Sequence, residues 1–326
     1  MNHYFSPGRE FSLIETLFDS EHFSKDGQGL GDDGFLLRAG GETWAISTDS
    51  SVEGIHYRLD WGNLDLALEK ALLSNLSDIN AMGGRTAFVL FNLGAIKSWS
   101  AEQISGIGAT LRKLEATYGF KVVGGDTVTK DSESFFTFTV LGRILGKPLL
   151  RSQARPGHRI YISGPLGGSA AGLTLFRQGL RPNQEKSWNS SFQAHLQPSP
   201  PLDLGPMLSE FPGPVSAIDI SDGLSSELWH LSVQSGCRLV VEWGKLAYDH
   251  GLEQLPGGDM WKDWVMHGGE GYQLLFTGTF TEAELGRIRG VACDMVEIGT
   301  VGEGKGVGIL DESGTETELT AKGWSH

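Results

Sequence analysis

The chain has 326 residues, 39% of them hydrophobic and 20% charged, which is enough for a large core and favours two globular domains. Its net charge of −14, without any long basic run, excludes the usual nucleic-acid-binding surfaces. Its two cysteines cannot form a disulfide framework, and its longest apolar run, Ala87 to Leu93, is too short to cross a membrane. We therefore expect a cytoplasmic protein with no membrane partner.

The first predicted elements are two strands joined by a tight turn at Gly40-Gly41, the second of which runs into Ser47-Thr48-Asp49. A helix is predicted from Asn63 to Met82, where Gly83-Gly84 end it. Asp78 projects beside the apolar stripe of this helix. A carboxylate in such a stripe needs a partner, because the burial of an unpaired charge is costly. A salt bridge or a cation would both meet that need.

A buried strand is predicted over Thr86 to Leu93, followed by a helix that opens with the capping box of Ser100 and Gln103 and ends at Gly119. The next predicted strand is Lys121 to Val123, with Gly124-Gly125-Asp126-Thr127 as the loop after it. Glu133 to Ile144 is predicted to be a long strand.

The best candidate domain boundary is Gly146-Lys147-Pro148. Strands and helices alternate on both sides of it, so the sequence predicts an α/β fold of two layered domains, residues 1–148 and 149–326. The elements predicted after the boundary are strands at 159–163, 215–220 and 272–276, and helices at 169–178 and 222–236.

Two nucleotide-binding motifs match only in part. Gly29 to Gly34 fits G-x-G-x-x-G, but it precedes a strand and carries two acids where a pyrophosphate would lie. Gly299 to Lys305 has P-loop spacing, but Gly306 replaces the required Ser or Thr, and a strand follows where a helix is needed. The sequence therefore supports neither a dinucleotide-binding fold nor a P-loop kinase.

Aspartates recur beside Gly, Ser or Thr where strands are predicted to end, and Asp78 faces inward from its helix. Such convergent carboxylates repel one another without a cation, and Mg²⁺ typically joins carboxylates to substrate phosphates. The pattern therefore predicts a multi-magnesium polyphosphate site. Each aspartate taken alone also fits a turn or a helix cap, and for Asp32 the two interpretations are balanced. The set comprises Asp32, Asp33, Asp49, Asp78, Asp126, Asp219 and Asp222.

Seven short motifs occur in the order in which they occur in thiamine-monophosphate kinases, which the chain resembles from about residue 11 to its C-terminus. They are Gly31-Asp32-Asp33, Ser47-Thr48-Asp49 with Val52 to His56, Asn75 to Asp78 with Ala81-Met82-Gly83, Gly124 to Thr127, Ile218 to Leu224, Gly268-Gly269-Glu270 and Lys322-Gly323-Trp324. This family lies in the aminoimidazole ribonucleotide synthetase-like superfamily. The resemblance implies two domains, each a mixed sheet covered by helices. Residues 1–148 would bind ATP and magnesium and form a homodimer, and residues 149–326 would complete the active site.

The resemblance also implies ATP-dependent phosphorylation of thiamine monophosphate to thiamine diphosphate by direct in-line transfer, with several Mg²⁺ ions. The implied metal ligands are Asp33, Ser47, Thr48, Asp49, Asp78, Asp126, Asp219 and Asp222, of which Asp78, Asp126 and Asp219 would be catalytic. The implied ATP contacts are Tyr118, Gly125, Asp126, Arg151 and Ser221. The implied thiamine phosphate contacts are His56, Glu270 and Trp324. Three of these residues also fit a structural role. Tyr118 fits the apolar stripe of its helix, His56 fits a structural histidine with satisfied hydrogen bonds, and Trp324 fits an anchor for the C-terminal tail.

The main departure from the family is Gly271, which stands where an acid usually follows Gly-Gly-Glu; Gln273 replaces a second acid. Other superfamily enzymes fit less well. A selenophosphate synthetase should carry a reactive residue such as Cys near its N-terminal glycine loop, a hydrogenase-maturation carbamoyl dehydratase should end in Cys, and an aminoimidazole ribonucleotide synthetase would lack the pairing of Glu270 with Trp324. A nucleotide-binding module without turnover is the alternative from another class, and Gly271 is its only support.

Overall fold

The computed structural model describes residues 29–322 together with residues 17, 22 and 27. Residues 35–144 contain a five-stranded sheet with two helices. Its strands are β1 (Phe35–Ala39), β2 (Glu42–Val52), β3 (Arg85–Ile96), β4 (Lys121–Lys130) and β5 (Phe135–Ile144), in the spatial order β1-β2-β5-β3-β4. The helices are α1 (Leu64–Ala81) and α2 (Ala101–Tyr118). The β3–β4 pair is parallel and the other pairs are antiparallel, so the sheet is mixed, as expected.

Residues 159–318 contain a second mixed sheet, of seven strands, in the order β12-β11-β8-β10-β6-β9-β7. The strands are β6 (Arg159–Ile162), β7 (Ser216–Asp219), β8 (Arg238–Glu242), β9 (Leu274–Gly278), β10 (Val296–Gly302), β11 (Gly306–Leu310) and β12 (Glu316–Glu318). The helices are α3 (Gly168–Arg177), α4 (Asn189–Leu196), α5 (Leu204–Ser209), α6 (Leu224–Ser235), α7 (Met260–His267) and α8 (Glu282–Val291). Short 3₁₀ turns lie at Arg151–Gln153, Lys186–Trp188, Trp243–Lys245 and His250–Gln254.

Helix α1 connects the two sheets. Its apolar side chains, Leu68, Leu72 and Ile79 among them, pack in the core of the first sheet. Its polar side chains reach the second half of the chain, where Asn80 Oδ1 accepts a hydrogen bond from the backbone N–H of Gly205 at 2.8 Å. A polar group in a buried helix needs a partner, and Ser77 and Asn80 of α1 find theirs across this junction, at Asp219 and Gly205.

Several local predictions are confirmed. The Gly40-Gly41 hairpin forms, α1 begins after the N-cap Asn63, and Ser100 and Gln103 make a reciprocal capping box at the start of α2. These features depend on residues close together in the chain, so the sequence contains most of the information that fixes them.

Predictions about three strands are wrong. β2 continues past Asp49, and β4 runs through Gly124–Thr127, because β5 and β3 pair with these residues: Asp49 lies opposite Phe138 and Asp126 opposite Asn92. β3 is half-exposed instead of buried, since only one face of the sheet carries helices. The predicted starts at Asp222 and Tyr272 are each two residues early, with α6 beginning at Leu224 and β9 at Leu274.

Among the described residues, no helix combines the length and the apolar character that a membrane crossing requires. The two sheets lie on either side of the predicted 148/149 boundary. The division into functional domains at that point stays a prediction.

Candidate active site

A cavity of about 570 Å³ lies where the two halves of the chain meet at α1. Its wall is formed by the turn before β1, by β2, by one face of α1, by the start of the Arg151–Gln153 turn, and by the loops after β7 and before β9. Most of the predicted site residues lie on this wall. They are Asp33, Ser47, Thr48, Asp49, His56, Asp78, Arg151, Asp219, Ser221, Asp222 and Glu270.

Three carboxylates converge at one end of the cavity. Oxygens of Asp33, Asp78 and Asp219 all lie within 4.8 Å of one another. Serines orient two of them: Ser47 Oγ donates to Asp78 Oδ2 at 2.6 Å, and Ser77 Oγ donates to Asp219 Oδ2 at 2.7 Å. These bonds join a strand, a helix and the end of β7, so the geometry depends on the complete fold.

The electrostatics of this carboxylate cluster favour a cation. Burial, followed by the charges of neighbouring aspartates, raises the pKa of Asp78 well above its usual value. Burial and the charge of Asp33 raise the pKa of Asp219 to about 8. Oδ2 of Asp33 is buried and has no hydrogen-bond partner. The three carboxylates supply the hard oxygen ligands that Mg²⁺ prefers, and Oδ2 of Asp33 has no hydrogen bond that would compete with a metal contact. Binding of Mg²⁺ would offset the repulsion among the three carboxylates.

Arg151 is the cation nearest to this cluster. Its guanidinium forms an ion pair with Asp33, and its backbone N–H donates to Asp32 Oδ1 at 2.8 Å. Burial by itself would lower the pKa of Arg151, but the charge and hydrogen bond of Asp33, together with the charges of Asp32 and Asp219, outweigh it and raise this pKa. The backbone carbonyl of Arg151 accepts a hydrogen bond from Ser216 Oγ at 3.0 Å, which ties the residue to β7.

A second charged group lies at the other end of the cavity. Lys70 Nζ lies 2.8 Å from Glu270 Oε1, and Nδ1 of the buried His195 lies 3.5 Å from Glu270 Oε2. Burial would raise the pKa of Glu270, but the charge of Lys70 holds it below its usual value. Burial lowers the pKa of His195 to about 3, so this imidazole is neutral at pH 7. Glu270 is therefore ionised and its counter-charge is Lys70.

The backbone around Glu270 is in an uncommon conformation that fixes its side chain. Glu270 has a φ of 60° and Tyr272 a φ of 52°, in the left-handed region that side chains other than Gly seldom occupy. The loop is held across the next one by two hydrogen bonds, from Glu270 N to Ser221 O at 2.7 Å and from Tyr272 N to Ile220 O at 3.0 Å. Strain of this kind is typical of functional sites.

Glu227 holds the loop that carries Ser221 and Asp222. Its Oε1 accepts from the backbone N–H groups of Ser221, Asp222 and Gly223 at 3.1, 2.8 and 3.3 Å. Asn75 does the same for β2, since its Oδ1 accepts from the backbone N–H of Asp49 at 3.0 Å. Both side chains support residues of the cavity wall.

Three predicted site residues do not line this cavity, and a fourth lies outside the described residues. Asp126 lies on the exposed strand β4, where its Oδ1 accepts from the N–H of Thr127 at 2.8 Å. Gly125 passes so close to β3 that an added Cβ would lie 1.7 Å from the Phe91 carbonyl oxygen. Tyr118 packs beside the first core and lines a different cavity. Trp324 lies outside the described residues.

Thr48 lies on the cavity wall, but its hydroxyl points elsewhere. Its Oγ1 donates to the carbonyl of Phe138 at 3.1 Å and lies 2.9 Å from Thr139 Oγ1. Successive residues of a strand face opposite sides, so the contact of Ser47 with Asp78 directs the Thr48 side chain away from α1.

The sequence interpretation missed Lys70. A signal was present, because Lys70, Ser74 and Asp78 recur at intervals of four and so share one face of α1. All three line the cavity. The partner of Lys70, Glu270, is 200 positions away and could not be assigned to it from spacing.

The chain is similar to several known proteins. Residues 31–144 match the family described as AIR synthase related protein, N-terminal domain. A thiamine-monophosphate kinase of Bacillus subtilis (strain 168) is 32% identical, over 97% of this chain and 99% of the relative. A thiamine-monophosphate kinase of Escherichia coli (strain K12) is 36% identical, over 82% of each chain. The structure of AaThiL complexed with AMPPCP and TMP covers 98% of this chain and 96% of its own, with a TM-score of 0.82 and 26% identity.

Proposed function

This chain belongs to the thiamine-monophosphate kinase family, and we propose that it transfers the γ-phosphoryl group of ATP to thiamine monophosphate, giving thiamine diphosphate and ADP. The observation that carries this proposal is the division of one cavity into two charged ends. One end is a carboxylate cluster suited to metal-bound polyphosphate, and the other is an ionised glutamate suited to a cationic ring. The AaThiL complex with AMPPCP, in which a methylene replaces an ATP bridging oxygen, supports the same pairing of ligands.

The donor end would hold Mg²⁺ on Asp33, Asp78 and Asp219, with Ser47, Asp49 and Asp222 on the same wall. Bound there, Mg²⁺ would neutralise charge on the phosphoryl oxygens of ATP. Arg151 would add a planar, permanently charged fork for phosphate oxygens. The metal contacts of Thr48 and Asp126 stay predictions. The ATP contacts of Tyr118, Gly125 and Asp126 stay predictions as well.

The acceptor end would bind thiamine monophosphate through His56 and Glu270. A contact from Trp324, which lies outside the described residues, stays a prediction. The carboxylate of Glu270 offers a counter-charge to the thiazolium ring. His56 Nδ1 accepts from the backbone N–H of Val52 at 3.1 Å, so the neutral imidazole carries its proton on Nε2. That N–H is the donor that His56 would offer to the substrate.

The cavity favours direct transfer over a phosphorylated enzyme. A phospho-enzyme needs an activated nucleophile with a positioned base. The cluster aspartates are better suited to metal binding, and His56 belongs to the acceptor end. In direct transfer, a phosphate oxygen of thiamine monophosphate forms the new bond to the γ-phosphorus while the bond to the β,γ-bridging oxygen breaks and ADP leaves. Catalysis would then rest on positioning and charge neutralisation.

The test is incubation of the protein with Mg²⁺ and γ-labelled ATP, with and without thiamine monophosphate. We expect thiamine diphosphate and ADP in equal amounts with the acceptor, and only slow ADP release without it. Label retained on the denatured chain in stoichiometric amount would exclude direct transfer. Rapid acceptor-independent ADP release would contradict the proposed acceptor, and binding of ATP without any turnover would favour the non-catalytic module. Formylglycinamidine ribonucleotide and selenide serve as control acceptors.

We also propose that the chain forms a homodimer through the face of the first sheet that α1 and α2 leave uncovered. Phe35, Leu37, Phe88 and Leu90 are 37–44% exposed, and Trp44 stacks on Phe88 with ring centroids 6.0 Å apart. Cross-strand register places Phe35 and Phe88 on one face, through Ile46 and Leu141. An apolar patch of this extent on a sheet is typical of an interface.

A cytoplasmic location stays a prediction.

Light scattering at micromolar concentration should report twice the mass of one chain. We expect Leu90→Asp to shift the protein toward the monomer, because a charge within this patch would have to be desolvated on association. Val233→Asp is the matched control, since Val233 is 60% exposed on α6, in the second half of the chain. A monomeric wild-type protein, or equal behaviour of the two variants, would contradict the assembly.

A further inference from the structure

Lys70 forms part of the cavity wall and has no role in the family pattern described above. It lies on α1, it is 7% exposed, and its side chain faces the same cavity as Asp78. Among the described residues that line this cavity, Lys70 and Arg151 are the only lysine and arginine. Arg151 is committed to the donor end by its ion pair with Asp33. Lys70 is therefore the cation available to the acceptor end.

The Lys70 ammonium is not satisfied by Glu270 alone. The 2.8 Å approach is an ion pair, yet buried Nζ makes no well-directed hydrogen bond. An ammonium has three donors, and burying them without acceptors is costly. A cationic donor in this state, at the wall of an open cavity, indicates an anionic ligand.

The position of Lys70 on α1 fits the length of two phosphoryl groups in line. Asp78 follows Lys70 by eight residues, about 12 Å along the helix axis. Three contacts would lie along this span: a metal–oxygen contact of about 2.1 Å, an in-line approach of about 3–3.5 Å between the two phosphoryl groups, and a charge-assisted hydrogen bond of about 2.8 Å to Lys70. Together with the phosphoryl groups themselves, these contacts fill a length of this order. Ser74 lies between Lys70 and Asp78 on this face of α1. Its hydroxyl donates back to the Ala71 carbonyl at 3.0 Å, so the side chain stays close to the helix.

We propose that Lys70 is a substrate-binding residue whose ammonium donates to the phosphate of the acceptor, an inference that rests on the proposed function. The acceptor carries an anionic phosphate and a cationic ring. Its binding would replace the Lys70–Glu270 pair by two pairs with the substrate, Lys70 to phosphate and Glu270 to the ring. An internal ion pair of this kind prepares the empty site for a zwitterionic ligand and leaves no buried charge unpaired in either state.

The test compares the binding of thiamine monophosphate with that of thiamine, which lacks the phosphate, by calorimetry on the full chain with Mg²⁺ and AMPPCP. We expect Lys70→Met to raise the Kd for thiamine monophosphate about 10- to 100-fold, the effect of losing one hydrogen bond to a charged group. The Kd for thiamine should change less than about threefold. Lys70→Arg keeps the charge and should lose less affinity than Lys70→Met. Lys97→Met, at an exposed ion pair with Asp131, is the matched control.

Equal weakening of both ligands in Lys70→Met would mean that Lys70 acts only through Glu270, and would overturn the inference. Unchanged affinity for thiamine monophosphate would overturn it as well. Wild-type protein that binds neither ligand would instead overturn the proposed function, which separates the two failures. If Lys70→Met does not fold, as judged by its thermal midpoint, Lys70→Gln and Lys70→Arg provide the same comparison.

Discussion

Asp78→Asn is expected to lower kcat about 100- to 1,000-fold while the protein keeps its fold. The carboxylate lies at the centre of the cluster with Asp33 and Asp219, and the proposed reaction uses the cluster to neutralise phosphoryl charge. A metal contribution of several kcal/mol to the transition state, at about 1.4 kcal/mol per tenfold in rate, gives a loss of this size. The measurement is steady-state thiamine diphosphate formation at saturating ATP and acceptor.

The thermal stability of the same variant should not fall with its activity. The amide that replaces the carboxylate is isosteric and can still accept the hydrogen bond from Ser47 Oγ. It also removes a carboxyl group whose ionisation is opposed by burial and by the charges of Asp49, Asp219 and Asp33. With EDTA present, we therefore expect a thermal midpoint at least equal to that of the wild type at pH 7. Activity within threefold of wild type would contradict the role of the cluster.

Asp131→Asn is the control for this substitution, because Asp131 is 86% exposed and paired only with Lys97 among the contacts described. The family resemblance implies a strong loss for Asp126→Asn also. In the single chain Asp126 lies on the exposed strand β4, away from Asp78. A loss comparable to that of Asp78→Asn would therefore indicate that this face of the first sheet contributes to the site in the assembled protein.

The local elements and most of the residues that line the cavity could be predicted from the sequence, whereas the grouping of these residues could not. The capping box at Ser100 depends on contacts within four residues. The course of β4 depends on β3, because Gly125 lies against the Phe91 carbonyl, where an added Cβ would lie 1.7 Å from the oxygen. Glycines that permit close packing of strands have the same sequence signature as glycines in a loop.

The grouping within the cavity depends on long-range contacts. Ser77 contacts Asp219, and Lys70 contacts Glu270, across 142 and 200 positions of the chain. Periodicity shows that Lys70 and Asp78 share a face of α1, but it does not show which loops cover that face. The separation of Asp126 and Tyr118 from the cluster likewise became visible only with the strand register and the helix packing.

Arg151→Met is expected to lower the free energy of unfolding by about 3–5 kcal/mol at pH 7, the usual effect of breaking a buried ion pair by removing one partner. Asp33 is 3% exposed in its side chain, and Arg151 is its ion-pair partner. Urea unfolding of the metal-free protein measures this loss. Arg143→Met is the control, since Arg143 pairs with Glu42 at the surface with half of its side chain exposed, where an ion pair contributes at most about 1 kcal/mol.

The double variant Arg151→Met/Asp33→Asn separates stability from function. Because it removes both charges, it should recover most of the unfolding free energy that Arg151→Met loses, while thiamine diphosphate formation remains reduced at least 100-fold. A double variant that regains activity together with stability would show that Arg151 matters only as the partner of Asp33. One that stays as unstable as Arg151→Met would show that the guanidinium stabilises the fold through other contacts. Recovered stability with lost activity is the result expected if Arg151 and Asp33 both face the phosphates of ATP.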